Sequence, residues 1–163
     1  MRRAAVITSS DSGYRGERED KSGPVICEML KEAGYEIVYT KLLPDEREWL
    51  ARELALLADE DKADLILTTG GTGFSPRDCM PEATRDICQK MVPGIPEAMR
   101  AYSMQFTKRA MLSRQAAGIR NKTLIVNLPG SPKAVRECLE YILPHLGHGI
   151  DILREAAKNC GEK

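Results

Sequence analysis

The chain has 163 residues, with 24 Lys and Arg against 24 Asp and Glu, so its formal net charge is zero; 42% of residues are hydrophobic and 29% charged. At ~150 residues per domain this predicts one domain, residues 1–163, long enough to hide roughly 70% of its unfolded surface in a core. Neutrality argues against a protein that coats nucleic acid, and one Trp, five Tyr and two Phe are too few for base-stacking platforms.

Residues 4–8 form a short apolar strand, followed by a polar loop from residue 9 to residue 21. Ser22-Gly23-Pro24 opens a helix with Val25, Ile26, Met29, Leu30 and Ala33 on one face and Gly34 at its end. Residues 35–43 are rich in β-branched and aromatic side chains. Pro44-Asp45 then starts a second helix, in which Leu50, Leu54 and Leu57 recur at helical spacing. Residues 65–69 are a third strand that runs straight into Gly70-Gly71-Thr72-Gly73. Pro81 begins a helix expected to continue through Ile87, Cys88 and Met91, and residues 96–106 are expected to be helical too. Residues 123–127 form the last clear strand, ending in Leu128-Pro129-Gly130-Ser131-Pro132. Ser131 suits an N-cap, with Pro132 favoured at the first helical position. The helix beyond carries an apolar stripe of Val135, Cys138, Leu139, Ile142, Leu143 and Leu146. Strands alternating with helices predict an α/β fold, a three-layer sandwich with a mainly parallel sheet and helices on both faces. Ligands of such folds bind beyond the carboxyl ends of the strands.

The start of the chain, Met1 to Ile7, falls short of a signal peptide's apolar core, and no apolar run approaches the ~20 residues of a membrane span. Five cysteines (Cys27, Cys79, Cys88, Cys138 and Cys160) include no CxxC pair and no metal-type cluster with the two histidines. A cytoplasmic protein with reduced thiols is the expectation. Zero net charge also conceals a partition. Residues 98–136 contain eight Lys and Arg and no acid, leaving the rest of the chain negative by the same amount. Burial would deplete Lys and Arg as well, so this span reads as a cationic region suited to an anionic ligand.

The loops supply the chemistry. Glycines at Gly70, Gly71 and Gly73 allow positive φ and let backbone N–H groups approach an anion, though a plain tight turn explains them equally well. No GxxxxGK[ST] or GxGxxG fingerprint is present. Asp45 and Asp78 are candidate Mg²⁺ ligands, because that ion takes one or two carboxylates plus substrate phosphate oxygens and water. The competing readings are that Asp45 caps the second helix and that Asp78 bonds its own loop backbone. Cys79 has no neighbour in sequence that would lower its pKa. His145 and His148 read as partners of the last helix's C-terminal dipole. Met80, Met91, Met99, Met104 and Met111 read as core filler.

Several blocks together resemble the molybdopterin adenylyltransferase family, which includes bacterial enzymes and the plant and animal G domains. The signature stretch is Thr69-Gly70-Gly71-Thr72-Gly73-Phe74-Ser75-Pro76-Arg77-Asp78, followed by Pro81-Glu82-Ala83-Thr84. Ser10-Asp11, Asp20-Lys21-Ser22-Gly23-Pro24, Pro44-Asp45-Glu46, Ala110-Met111-Leu112-Ser113-Arg114, Ala117-Gly118-Ile119-Arg120 and Asn127 to Pro132 match in family order, from about residue 4 to residue 150. The resemblance implies adenylyl transfer: the terminal phosphate of molybdopterin attacks the α-phosphate of ATP, giving adenylylated molybdopterin and pyrophosphate. It implies Mg²⁺ at the catalytic carboxylates Asp45 and Asp78. Ser10, Asp11, Asp20, Ser22, Gly70, Gly71, Thr72 and Gly73 are then expected around the nucleotide and its phosphates. Ser113, Asn127, Gly130 and Ser131 are expected on the pterin side. A homotrimer is implied, with a downstream metal-insertion protein as a further partner and neither nucleic acid nor membrane. Met80 departs from the family pattern, which has Thr there. At an N-cap that change would forfeit ~1 kcal/mol. Two alternatives remain: a non-catalytic molybdopterin carrier of the same fold, and a nucleotide hydrolase in which water replaces the pterin phosphate. Intact Asp45, Asp78 and glycine loop favour the transferase over the first. The pterin blocks favour it over the second.

Overall fold

The structure, a computed structural model, describes residues 1–156; Cys160 lies outside them. In chain order the elements are β1 (Arg3–Ser9), α1 (Asp11–Tyr14), α2 (Ser22–Glu32), β2 (Glu36–Leu43), α3 (Arg47–Asp59), β3 (Leu65–Thr69), α4 (Met80–Ile87), β4 (Lys90–Met91), α5 (Gly94–Ser103), β5 (Ala117–Arg120), β6 (Thr123–Leu128) and α6 (Pro132–Leu153), with a 3-10 turn at Lys108–Leu112. The strands make one sheet in the order β2–β1–β3–β6–β5–β4. β2, β1, β3 and β6 run parallel; β5 is antiparallel to both β6 and β4. Among the described residues, no helix is long and apolar enough to cross a membrane.

Strand alternation creates the two outer layers. Ala4, Val6, Leu65, Leu67, Leu124 and Val126 pack with Ile26, Leu30 and Met99 and with the whole predicted stripe of α6. Ala5, Ile7, Ile66 and Ile125 turn to the opposite face and meet Leu50, Leu54 and Leu57 of α3 and Met80 and Ala83 of α4. Each fully buried aliphatic side chain contributes about 1.5–3 kcal/mol relative to exposure, so the two layers fix the sheet from both sides. The chain passes from β1 through α2 to β2 over one face and from β2 through α3 to β3 over the other, so β2 and β3 lie on opposite sides of β1. The carboxyl ends of β1 and β3 therefore flank a topological switch point, where α/β sheets hold ligands.

Four predicted strands are observed, and β4 and β5 are additional. The helix expected to reach Met91 stops at Ile87, and Met91 belongs to β4. Pro93 disfavours helix at Val92, and Gly118 of β5 admits the close approach: a Cβ there would lie 2.6 Å from Cys88 Sγ. The loop from residue 9 to residue 21 contains the short helix α1. Met80 and Met99 are fully buried, but Met91 and Met111 are exposed rather than core filler. Nor is either histidine in the last turn of α6, which contains no basic residue.

Asp64 locks the amino edge of the sheet. It accepts from the Arg3 backbone N–H at 2.7 Å and from Arg3 Nη2 at 2.7 Å, and it pairs with Arg154 Nε at 2.9 Å. Burial pushes its carboxyl up, but the bonds from Arg3 and the charge of Arg154 outweigh this and hold it below the ordinary 3.8. A lowered folded pKa contributes stability that is present above the unfolded value and lost as pH falls through the folded one. Asp64→Asn is therefore expected to lower urea stability at neutral pH, with the gap to wild type closing in strong acid. An equal gap at both pH values would contradict the assignment.

Candidate active site

The parallel register brings four loops to one edge: Ser9 pairs with Leu43, Thr8 with Thr69, and Thr69 with Leu128. Between the ends of β1 and β3 lies a cleft of about 550 Å³, lined by Ser10, Asp20, Ser22, Gly70, Gly130 and Ser131 together with Arg18 and Lys21. Six sequence-predicted residues thus share one cavity. Asp20 organises its floor by accepting from Thr8 Oγ1 at 2.8 Å and from the Gly23 N–H at 3.0 Å, which caps the start of α2. Ser22 Oγ donates to the Gly130 carbonyl at 2.6 Å, and Thr69 Oγ1 donates to the Pro129 carbonyl at 2.7 Å. Ser131 caps α6 as expected, accepting from the Ala134 N–H at 3.2 Å. Two helix N-termini, of α2 and of the 22-residue α6, consequently border the cleft. Their partial positive charge favours an anion.

The glycine loop forms the adjoining wall. Gly70 has φ +89° and Gly71 φ +71°, and a Cβ on Gly70 would stand 2.3 Å from the Ser9 carbonyl oxygen. Only glycine fits there without moving the backbone of β1. Gly71 faces Asp45, whose Oδ1 would lie 3.4 Å from an added Cβ; Gly73 faces Asp78, whose Oδ2 would lie at 2.9 Å. The two carboxylates thus border the same short loop.

Asp45 does not cap α3, whose N-cap is Glu46, a residue whose side chain makes no capping bond and pairs with Arg77 instead. Its Oδ1 accepts from Ser9 Oγ at 2.5 Å and its Oδ2 from the Asp11 N–H at 3.0 Å. Asp11 reciprocates by accepting from the Asp45 N–H at 3.0 Å, and its side chain pairs with Arg77. That Arg77 bond holds the Asp11 carboxyl below its ordinary value. Asp78 Oδ2 accepts from the Ser75 N–H at 3.1 Å, so its bond to the loop backbone is real. Oxygen-only donors, with glycines leaving open the space a Cβ would fill, suit a hard cation such as Mg²⁺. Among the described residues, no group of three or more His, Cys, Asp or Glu is arranged to hold a metal ion by itself; Mg²⁺ needs only one or two carboxylates when phosphate and water complete its shell. Burial and the nearby Asp45 push the Cys79 thiol up to about 11, which keeps it protonated and unreactive.

Other expected residues are placed differently. Thr72 is buried, and its carbonyl accepts from the Arg114 N–H at 2.9 Å. Ser113 lies outside the cleft lining, and its Oγ is buried without a hydrogen-bond partner. Asn127 is fully buried and does not line the cleft. Its Nδ2 donates to Thr68 Oγ1 at 3.0 Å and to Thr84 Oγ1 at 2.9 Å, while Oδ1 accepts from the Ala116 N–H at 3.1 Å. Met80 is the first residue of α4 rather than its cap, and it is fully buried beside Gly71. Its role is packing, and no cap bond is at stake.

Four of the eight cations in the basic span make structural bonds. Arg114 pairs with Glu82, Arg120 with Asp59, and Arg136 with Glu28. Arg100 donates to the carbonyls of Ser113 and Gln115. Three of the eight cations of the span are thus neutralised by acids distant in sequence. Arg114, Arg18 and Lys21 reach the site without being candidate residues in the sequence. Arg114 is legible only as one of the eight cations and as part of the Ala110 to Arg114 block, and Lys21 as part of the Asp20 to Pro24 block.

The chain matches the probable molybdopterin binding domain family over residues 5–148. It is 46% identical over 160 residues to the molybdopterin adenylyltransferase of Helicobacter pylori strain 26695, covering 97% of this chain and 91% of that protein. It is 40% identical over 155 residues to the molybdopterin adenylyltransferase of Escherichia coli K12, covering 91% and 79%. The crystal structure of the molybdopterin biosynthesis enzyme MoaB from Thermus thermophilus superposes with a TM-score of 0.90 at 46% identity, covering 95% of this chain and 98% of that one.

Proposed function

The chain belongs to the molybdopterin-binding domain family of molybdenum cofactor biosynthesis, and from that premise we propose that it is a molybdopterin adenylyltransferase. In this reading a terminal phosphate oxygen of molybdopterin attacks the α-phosphorus of ATP. The bond to the bridging oxygen breaks, and adenylylated molybdopterin and pyrophosphate are the products. The observation that carries the proposal is the pair Asp45 and Asp78 bordering the Gly70–Gly73 loop, beside a cleft with two helix N-termini.

Joining two anionic phosphates is chiefly a matter of positioning and charge neutralisation. Asp45 and Asp78 would hold Mg²⁺, which supplies a Lewis acid that offsets charge on the triphosphate and the departing pyrophosphate. Ser9 and the Asp11 N–H keep the Asp45 carboxylate oriented, and the Ser75 N–H does the same for Asp78. Gly70 and Gly71 would offer backbone donors without bulk, and the starts of α2 and α6 would seat phosphate oxygens. Gly130 and Ser131 would contact the pterin side, while Asn127 would act from beneath. The unpartnered Ser113 hydroxyl would gain a bond from a ligand.

The same reading carries a single domain over residues 1–163, a cytoplasmic location, a homotrimer, and a metal-insertion protein as recipient of the product. An apolar groove of about 390 Å³ between α5 and α6, containing Ile95, Tyr141 and Leu146, would offer a neighbouring copy a surface to cover. Pyrophosphate release from Mg-ATP with and without molybdopterin tests the reaction. Release that requires the pterin is expected. Pterin binding with no release would indicate a carrier, and release without pterin would indicate a hydrolase.

A further inference from the structure

The signature loop is anchored by a residue from a distant part of the chain. Phe74 is 71% exposed, and Ser75, Pro76 and Arg77 are exposed as well. Arg114 reaches this loop with nearly its whole guanidinium. Its Nε donates to the Gly73 carbonyl at 2.7 Å, and its Nη2 donates to the Asp78 carbonyl at 3.1 Å. Its Nη1 bridges both oxygens of Glu82, at 2.5 and 3.1 Å, and Glu82 lies in the first turn of α4. Its own backbone N–H donates to the Thr72 carbonyl. One side chain therefore ties both ends of the 73–78 loop to the helix that follows it.

The strut is itself fixed. Ala116, two residues on, exchanges bonds with Asn127: its N–H donates to Oδ1, and its carbonyl accepts from the Asn127 N–H at 2.9 Å. Asn127 in turn grips Thr84 of α4. The path runs from β6 through residues 114–116 to the loop, and from β6 through α4 to Glu82. Glu82 holds the guanidinium plane so that its remaining edges face the two carbonyls, a geometry that only a planar fork of donors provides.

We propose that Arg114 is the positioning residue of the reaction: by gripping the Gly73 and Asp78 carbonyls from a frame anchored at Asn127, it sets where the Asp78 carboxylate stands. The proposal rests on the transferase reading above. A misplacement of about 1 Å at a reacting group costs on the order of a hundredfold in rate, so this grip is worth a large factor even though Arg114 touches no substrate.

The test compares wild type, Arg114→Lys and Arg114→Ala. Arg114→Lys keeps a cation beside Glu82 but removes the fork, which preserves a foldable protein if the alanine variant is too unstable. Both variants are assayed per folded molecule, with kcat and KM separated, and amide hydrogen exchange is followed over residues 73–80. Expected is a fall in kcat of roughly ten- to a hundredfold, KM for ATP and molybdopterin within about threefold, faster exchange confined to the 73–80 loop, and partial recovery of kcat in Arg114→Ala on adding guanidinium. A purely structural role would lower stability while leaving kcat per folded molecule and loop exchange near wild type, and that result overturns the assignment. Wild-type protein that transfers no adenylyl group would instead overturn the transferase reading and this one with it.

Discussion

Asp78→Ala is expected to lower pyrophosphate release by a hundredfold to a thousandfold, the usual consequence of removing one electrostatic partner of a transition state. The fold should survive, because the Asp78 side chain bonds only the Ser75 N–H and lies at a loop rather than in either core layer. Thermal unfolding close to that of wild type would accompany the lost turnover. Asp45→Ala should match it in activity but cost more in stability, since Asp45 also satisfies Ser9 Oγ and the Asp11 N–H. Full activity in Asp78→Ala would remove this carboxylate from the chemistry.

The largest stability effect is expected at Asn127. Its amide serves Thr68, Thr84 and the Ala116 N–H in a site with no exposed surface. Truncation to alanine strands a buried backbone donor and two hydroxyls, each worth about 1–3 kcal/mol when left unsatisfied. The two threonine hydroxyls can partly turn to other acceptors, so a loss of roughly 3 kcal/mol is the expected total. Urea unfolding of Asn127→Ala measures it. A variant as stable as wild type but weaker in pterin binding would return Asn127 to the ligand and remove it from the frame that holds Arg114.

Asn127 also illustrates what was legible in the sequence. The β1, β3 and β6 runs are continuous in apolar residues because both faces of a central parallel strand are covered. Loops after their carboxyl ends could be placed together on that basis, and Ser10, Asp20, Ser22, Gly70, Gly130 and Ser131 do meet in one cleft. A polar residue near a strand end looks like a ligand contact, yet the strand's period of two decides its direction. Leu124, Val126 and Leu128 face α2 and α6, whereas Ile125 faces α3 and α4. Asn127 shares the parity of Ile125 and so meets Thr84 of α4.

β4 and β5 leave no signal in the sequence for another reason. A two-residue strand and a short run containing glycine have no periodicity to read. Their pairing depends on Gly118 leaving room for Cys88, which is a tertiary fact. The charge partition is qualified in a similar way. Eight cations without an acid over residues 98–136 suggested an open basic surface, but Glu82, Asp59 and Glu28 arrive from elsewhere in the chain to pair with three of them. The reach of Arg114 to Gly73 and Asp78 spans 41 and 36 residues, a connection that no local pattern encodes.

Transfer of an adenylyl group from ATP to molybdopterin by this chain is tested most directly by following the α-phosphate. With ATP labelled at that phosphorus, Mg²⁺ and molybdopterin, label should appear in the pterin fraction in equal amount to the pyrophosphate released. Label that stays in ATP, or that leaves as free AMP at the same rate without the pterin, would contradict it.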